Sequence, residues 1–452
     1  MSERLVILRH ASMVLVGQLA VMAFSITDSI VAGRFADTAL AALSVAAATY
    51  VTVHISLMGI LQALLPIWAQ LNGASRKAEV GQSVRQALYL VVLLSALGMW
   101  ALFSPDALLH WTQIPSALES DVRAYLAVVA LSLPASLLFR MYGTLNQSLG
   151  KPRLVTGVQV AALGVKIPLS IVLVLGVPGV LDPQGLVGCA WATFVVNYLM
   201  VAIGIWLIKT QDFYQPYQLW QAIEAPSMAH LKKFLRLGIP SGLSIGVEVT
   251  SFTLMSLFIA RLGVQATASH QIASNLATVL YMVPLALSIA TSARVSFWLG
   301  AQNIAQSKHA LRTGLILVVS VACMLSALLG LTRFEVARLY TDSLPITSLA
   351  ASLLAWVCFY HLADAVQVFS VFTLRSFGIT VWPLVTYALC LWGVGLAGGY
   401  TIAYSAQAHD WANWLGENSP IAFWQAASVA LWLSAMILSF TLWRALTQVK
   451  TS

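Results

Sequence analysis

Twelve apolar runs divide this chain at near-regular intervals. They lie at about 11–33, 40–66, 86–104, 122–145, 154–180, 186–208, 236–260, 265–292, 312–332, 347–374, 380–404 and 421–445. A helix rises about 1.5 Å per residue, so roughly 20 residues cross about 30 Å of hydrocarbon, and each run meets or approaches that length. A β-barrel would instead show short alternating segments. Hydrophobic residues make up 59% of the 452 and charged residues only 9%, where soluble domains carry about 25% charged. The sequence therefore predicts an all-α integral membrane protein with twelve transmembrane helices. The first run is too long for a signal-peptide core and reads as the first span.

The formal charge of +8 is explained by position. With the amino terminus inside, 17 Lys and Arg residues fall at inner loops and inner span ends, Arg375 and Lys450 among them. Only 5 (Arg34, Arg123, Arg261, Arg333, Arg338) fall outside, where Asp410 and Glu417 join other acids. This bias places both termini in the cytoplasm. The basic charge then sets topology and need not mark a nucleic-acid partner. A bacterial inner membrane is the expected location, and the lipid bilayer the expected surroundings of a monomer. Cys189, Cys323, Cys358 and Cys390 all fall inside spans and read as buried free thiols.

The chain repeats at half its length. At a shift of 227, Leu8-Arg9 meets Leu235-Arg236, Ser29 meets Ser256, Arg34 meets Arg261 and Gly73-Ala74 meets Gly300-Ala301. At 228, Ser148-x-Gly150 meets Ser376-x-Gly378. Six spans per repeat give two pseudo-symmetric lobes of the same orientation: residues 1–208 (spans 1–6) and 234–452 (spans 7–12). Between them, 209–233 is rich in Gln and Pro with a basic end and reads as a cytoplasmic linker. A cavity between the lobes is the natural substrate path.

Three acids interrupt the apolar runs: Asp28, Glu248 and Asp364. A carboxylate at such depth costs about 2.5–3.5 kcal/mol even on insertion scales. A chain that keeps three is expected to bind cations or protons with them. Tyr360, Asp364 and Gln367 stand at i, i+4 and i+7, one helix face, and that stripe should point inward. Hard oxygens suit Na⁺, and two acids in a dry site relieve their repulsion by taking up a proton or a cation.

Several motifs, in order along the chain, resemble the multidrug and toxic compound extrusion (MATE) family, particularly its NorM branch. They are Asp28-Ser29-Ile30-Val31-Ala32-Gly33, Gln70-Leu71-Asn72-Gly73-Ala74, and Gly185 to Thr193 (GLVGCAWAT). Gly238-Ile239-Pro240 with Glu248, His270-Gln271-Ile272-Ala273, and Tyr360 with Asp364-Ala365-Val366-Gln367 complete the set. The resemblance covers nearly the whole chain. It implies a secondary active multidrug exporter that antiports organic, mainly cationic and amphipathic, compounds against Na⁺ or H⁺. No other cofactor is implied. It also implies that Glu248, Tyr360 and Asp364 hold the coupling cation, Na⁺ included, as in the NorM branch. In other branches that role falls on an acid matching Asp28.

The chain departs from the family where asparagines usually flank the span-5 proline. Here the sequence is Lys166-Ile167-Pro168-Leu169-Ser170. Lys166 is expected to pair with Asp28 as a tethered substitute for a bound cation, or else to face the aqueous cavity. Arg140 on span 4 either reaches the inner surface or lines that cavity. Met22, Phe24, Met255, Met282 and Gln367 are candidate substrate-cavity residues, since methionine and aromatic surfaces adapt to varied flat cations. The rival function is a flippase for a lipid-linked anionic substrate, which should line its cavity with several Arg and Lys. No nucleotide loop or hydrolase motif occurs at a sensible membrane depth, so an enzyme is not expected.

Overall fold

A computed structural model describes residues 2–106, 116–404 and 420–448. Lys450, Asp410 and Glu417 of the charge argument lie outside the described residues. Among the described residues, twelve helices are long and apolar enough to cross a membrane. Spans 1 to 6 are Glu3–Phe35, Asp37–Gly73, Lys77–Phe103, Leu118–Ser148, Pro152–Leu175 and Gly185–Thr210. Spans 7 to 12 are Met228–Ala260, Val264–Gly300, Ile304–Arg338, Leu344–Ser376, Val381–Tyr404 and Pro420–Gln448. Among the described residues there is no β-strand beyond an isolated bridge between Val177 and Leu181. Trp100 on span 3 and Leu328 and Leu331 on span 9 stay exposed, a cost in water that lipid removes. Cys323, also on span 9, is exposed and not buried as the sequence suggests. Its turn of the helix faces outward with Met324 and Ile316.

Prolines 134, 168, 240 and 284 all sit inside helices, where each removes one backbone hydrogen bond. Span 2 is interrupted at Ala63–Leu64 and resumes with Pro66 in its new first turn, where a missing N–H costs nothing. Span 11 relaxes into π-helix over Ala388–Ala397.

The internal repeat is visible in the backbone of the helix ends. Span 2 ends with Ser75 at φ 59° and span 8 with Gln302 at φ 56°. In the first, Arg76 N donates to Leu71 O at 3.0 Å; in the second, Asn303 N donates to Trp298 O at 2.9 Å. Span 4 ends on Gly150 (φ 72°) and span 10 on Gly378 (φ 73°). There Lys151 N reaches Asn146 O at 2.8 Å and Ile379 N reaches Leu374 O at 3.1 Å. Both pairs are the same left-handed cap, which satisfies carbonyls the helix end would leave open.

The chain packs as two compact units, Ser12–Gly242 and Leu243–Ser452 with Met1–Ala11. In the first, spans 2, 3 and 4 surround Trp68, whose Nε1 donates to Ser83 Oγ at 3.0 Å. The start of span 7 belongs here: a Cβ on Gly242 would lie 2.6 Å from Ser56 O. The segment 211–227 is a docked strap. Tyr214 and Tyr217 donate to Asn146 Oδ1 (2.6 Å) and Asn72 Oδ1 (2.9 Å). Gln86 donates to Ala225 O at 3.0 Å and accepts from Ser227 N at 2.7 Å. Arg85 ion-pairs Glu224, and this contact pushes the Glu224 carboxyl down to about 2. In the second unit, Glu3 accepts from Arg294 Nε at 2.7 Å and Nη2 at 2.9 Å.

Candidate functional site

The first unit holds Asp28 within a closed polar cluster. Gly188 lets span 6 lie against span 5, for a Cβ there would come within 2.7 Å of the Leu173 carbonyl. That close approach brings Cys189 and Thr193 to Lys166. Lys166 Nζ lies 2.8 Å from Asp28 Oδ1, 2.7 Å from Thr193 Oγ1 and 3.2 Å from Cys189 O. All three ammonium donors therefore have acceptors. Ser170 Oγ adds a bond to Asp28 Oδ1 at 3.1 Å, and Cys189 Sγ points at Asp28 O from 3.8 Å. Lys166 is 1% exposed and Asp28 7%. The cluster is neutral, and its amine already occupies the place beside the carboxylate that a cation would take.

In the second unit, Glu248 comes from span 7 and Tyr360, Asp364 and Gln367 from span 10. Asp364 is 4% exposed, Gln367 fully buried and Glu248 half-buried. The charges of Glu248 and Asp364 act on each other and on Tyr360, Tyr281 and Tyr387. Tyr360 also packs edge-on against Trp424, with centroids 5.4 Å apart. Among the described residues neither carboxylate has a hydrogen bond or an ion pair, and both polar atoms of the Gln367 amide are buried without a partner. Thus one unit's acid is neutralised by a fixed amine, while the other unit's two acids stand open.

Sequence reasoning missed four contributors here. The charge of Glu248 acts on Tyr281, Tyr387 and Arg375, yet lone tyrosines and a span-end arginine carry no local signal. Trp424 is the fourth. Its Nε1 donates to His270 Nδ1 at 3.2 Å, which leaves the ring proton on Nε2, facing Ser256 Oγ at 2.8 Å. The His270 motif is therefore a brace tying span 12 to spans 7 and 8. Among the remaining candidates, Met255 sits in the second unit's apolar core with Ile259 and Ala273. Phe24 packs against the cluster around Phe139 and Tyr142, and Met22 and Met282 are half-buried. Arg140 donates to Gln62 Oε1 at 2.7 Å and lines a small cavity with Gln18, Gln147 and Gln159. Among the described residues no cluster of three or more His, Cys, Asp or Glu side chains is arranged to hold a metal.

The profile of the family described as MatE matches residues 14–172 and 240–401, one stretch in each half. The chain belongs to the MatE family. It is 36% identical to the "Probable multidrug resistance protein NorM" of Aromatoleum aromaticum, across 96% of this chain and 92% of that protein. It is 30% identical to the "Multidrug resistance protein NorM" of Vibrio cholerae, across 96% and 93%. Among solved structures, a MATE protein in its bent conformation superposes with a TM-score of 0.88 at 15% identity, covering 100% of this chain and 97% of that one. The eukaryotic MATE transporter AtDTX14 gives 0.84 at 16%, covering 99% of each. A Pyrococcus furiosus transporter of the MOP superfamily, described as having a binding pocket of reversed polarity, also gives 0.84 at 15%, covering 100% and 98%.

Proposed function

We propose that this MatE protein is a secondary active multidrug exporter, not an enzyme, that antiports organic cations against Na⁺ or H⁺ through Glu248 and Asp364. The observation that carries this reading is that those two carboxylates have no hydrogen-bond or ion-pair partner among the described residues, whereas Asp28 is paired with Lys166. Two unpartnered acids in a low-dielectric setting need a positive charge, and a proton, a sodium ion or an organic cation can each supply it. Only one of these is needed at a time. Loading of the coupling ion removes the charge that held the cargo, and antiport follows from that competition. Tyr360 offers a third oxygen to a sodium ion. The names of the relatives support the multidrug cargo, and the aromatic and methionine residues suit flat cations.

The same reading places the protein in a bacterial inner membrane with both termini in the cytoplasm, working as a monomer among lipids. Its test is efflux of ethidium from proteoliposomes under an imposed Na⁺ or H⁺ gradient. Efflux driven by either gradient is expected. Absence under both would overturn the reading and leave the lipid-linked-anion flippase as the function to test.

A further inference from the structure

Spans 1, 4 and 5 enclose a cavity of about 30 Å³ within the first unit. Arg140, Gly143 and Gln147 line it from span 4 at i, i+3 and i+7, and Pro152, Thr156 and Gln159 line it from span 5 at i, i+4 and i+7. Each set therefore shares one side of its helix. Gln18 reaches the cavity from span 1, which Thr156 holds close by donating to Met13 O at 2.6 Å. Gly143 puts no side chain into the space.

The lining carries one guanidinium and three carboxamides, and neither Asp nor Glu. Gln147 is only 7% exposed, yet its amide makes no hydrogen bond among the described residues. A buried amide without a partner is costly, and this one faces the cavity. Arg140 gives one corner of its guanidinium to Gln62 Oε1 at 2.7 Å, which fixes the fork beside the same space. The internal repeat shows that the fold does not require this polarity. At shifts of 227 and 228, Gln18 meets Ile245 and Arg140 meets Val368, so the second half builds the same helices with apolar side chains at both positions.

Water satisfies amides, but a fixed positive charge favours a negative guest. The cavity also lies at the start of span 5, where the helix dipole is positive. Lys151 and Arg153, both exposed, flank that end, on the side to which the bias of basic residues assigns the cytoplasm. A water needs about 10–15 Å³ of such space, so the cavity takes a group presenting two or three oxygens and is far too small for a drug-sized molecule.

We propose that this cavity is a binding site for an oxoanion, either the phosphate of a lipid headgroup or free phosphate. Arg140 is its charge partner, and Gln18, Gln147 and Gln159 are its hydrogen-bond donors. Bound there, the anion ties spans 1, 4 and 5 together where span 5 begins. The site lies in the unit that holds Asp28, and the inference is independent of which acids couple transport.

The test is thermal unfolding of the full-length protein in two arms. In detergent, inorganic phosphate is titrated against chloride at constant ionic strength. In nanodiscs, phosphatidylcholine is compared with phosphatidylcholine containing increasing phosphatidylglycerol, without added phosphate. A saturable rise of the midpoint is expected in at least one arm, since a ligand held only by the native state stabilises it. A rise with phosphate assigns the site to the free anion, and a rise with phosphatidylglycerol alone assigns it to the lipid headgroup. Arg140→Gln is expected to abolish the rise, and Gln147→Met to raise the half-saturating level by about tenfold. The Gln147 amide has no partner to lose, so Gln147→Met is expected to be at least as stable as wild type without the anion. It carries the test should Arg140→Gln fail to fold. No rise in either arm, or the same rise in wild type and in every folded variant, overturns the inference.

Discussion

Lys166 and Asp28 form a buried ion pair, 2.8 Å between Nζ and Oδ1, in which every lysine donor is engaged. Breaking such a pair by removing one partner costs about 3–5 kcal/mol, since the other charge is left uncompensated. Lys166→Asn should therefore lower the unfolding midpoint in detergent, and adding Asp28→Asn should restore much of the loss. If the double variant is as unstable as the sum of the singles, the two charges are not coupled. Transport by Lys166→Asn with unchanged ion dependence is also expected, because the acids proposed to couple, Glu248 and Asp364, lie in the other unit.

Gly188 has no room for a side chain. A Cβ 2.7 Å from the Leu173 backbone forces span 6 away from span 5 at a cost of about 1–3 kcal/mol. Gly188→Ala should lower the thermal midpoint and Gly188→Val should lower it further. A Val variant as stable as wild type would mean the helices separate without cost.

His270 braces Trp424 and Ser256. His270→Ala strands a buried indole N–H, which costs about 1–3 kcal/mol. His270→Gln, able to accept from the indole, should recover part of this in the same denaturation assay.

Ionised Glu224 is one of the ties that hold the strap at 211–227, through Arg85. Its carboxyl falls from an ordinary value of 4.5 to about 2 beside Arg85. A depressed folded-state value means the contact stabilises fully above about pH 4.5 and weakens as pH falls toward 2. A nitroxide placed at Gln221 should gain mobility across that window, and in Glu224→Gln it should be mobile at neutral pH as well. Equal mobility in both proteins at pH 7 would show that Arg85–Glu224 does not hold the strap.

Much of this architecture is legible in the sequence because a membrane leaves few options. Apolar length reports each span, and the 227-residue repeat reports the duplicated helix caps. Asp28, Glu248 and Asp364 stand out because an acid in an apolar run is costly. The burial of Arg375 does not, because an arginine at a span end is also what topology demands. The apolar neighbours of Cys323 suggest the interior, but in a bilayer apolar surroundings are found outside as well. Tyr281 and Tyr387, on which the charge of Glu248 acts, come from spans 8 and 11, and no local pattern announces neighbours brought together across helices. The open and closed states of the two sets of acids depend on which partners lie within hydrogen-bond reach, and no spacing along the chain encodes that.

Coupling through Asp364 is decided by gradient-driven ethidium efflux from proteoliposomes containing wild type, Asp364→Asn or Asp28→Asn at matched reconstitution. Asp364→Asn is expected to abolish the gradient dependence, while any folded Asp28→Asn protein retains it. Gradient dependence that survives Asp364→Asn and disappears in Asp28→Asn would instead assign coupling to the Asp28–Lys166 pair.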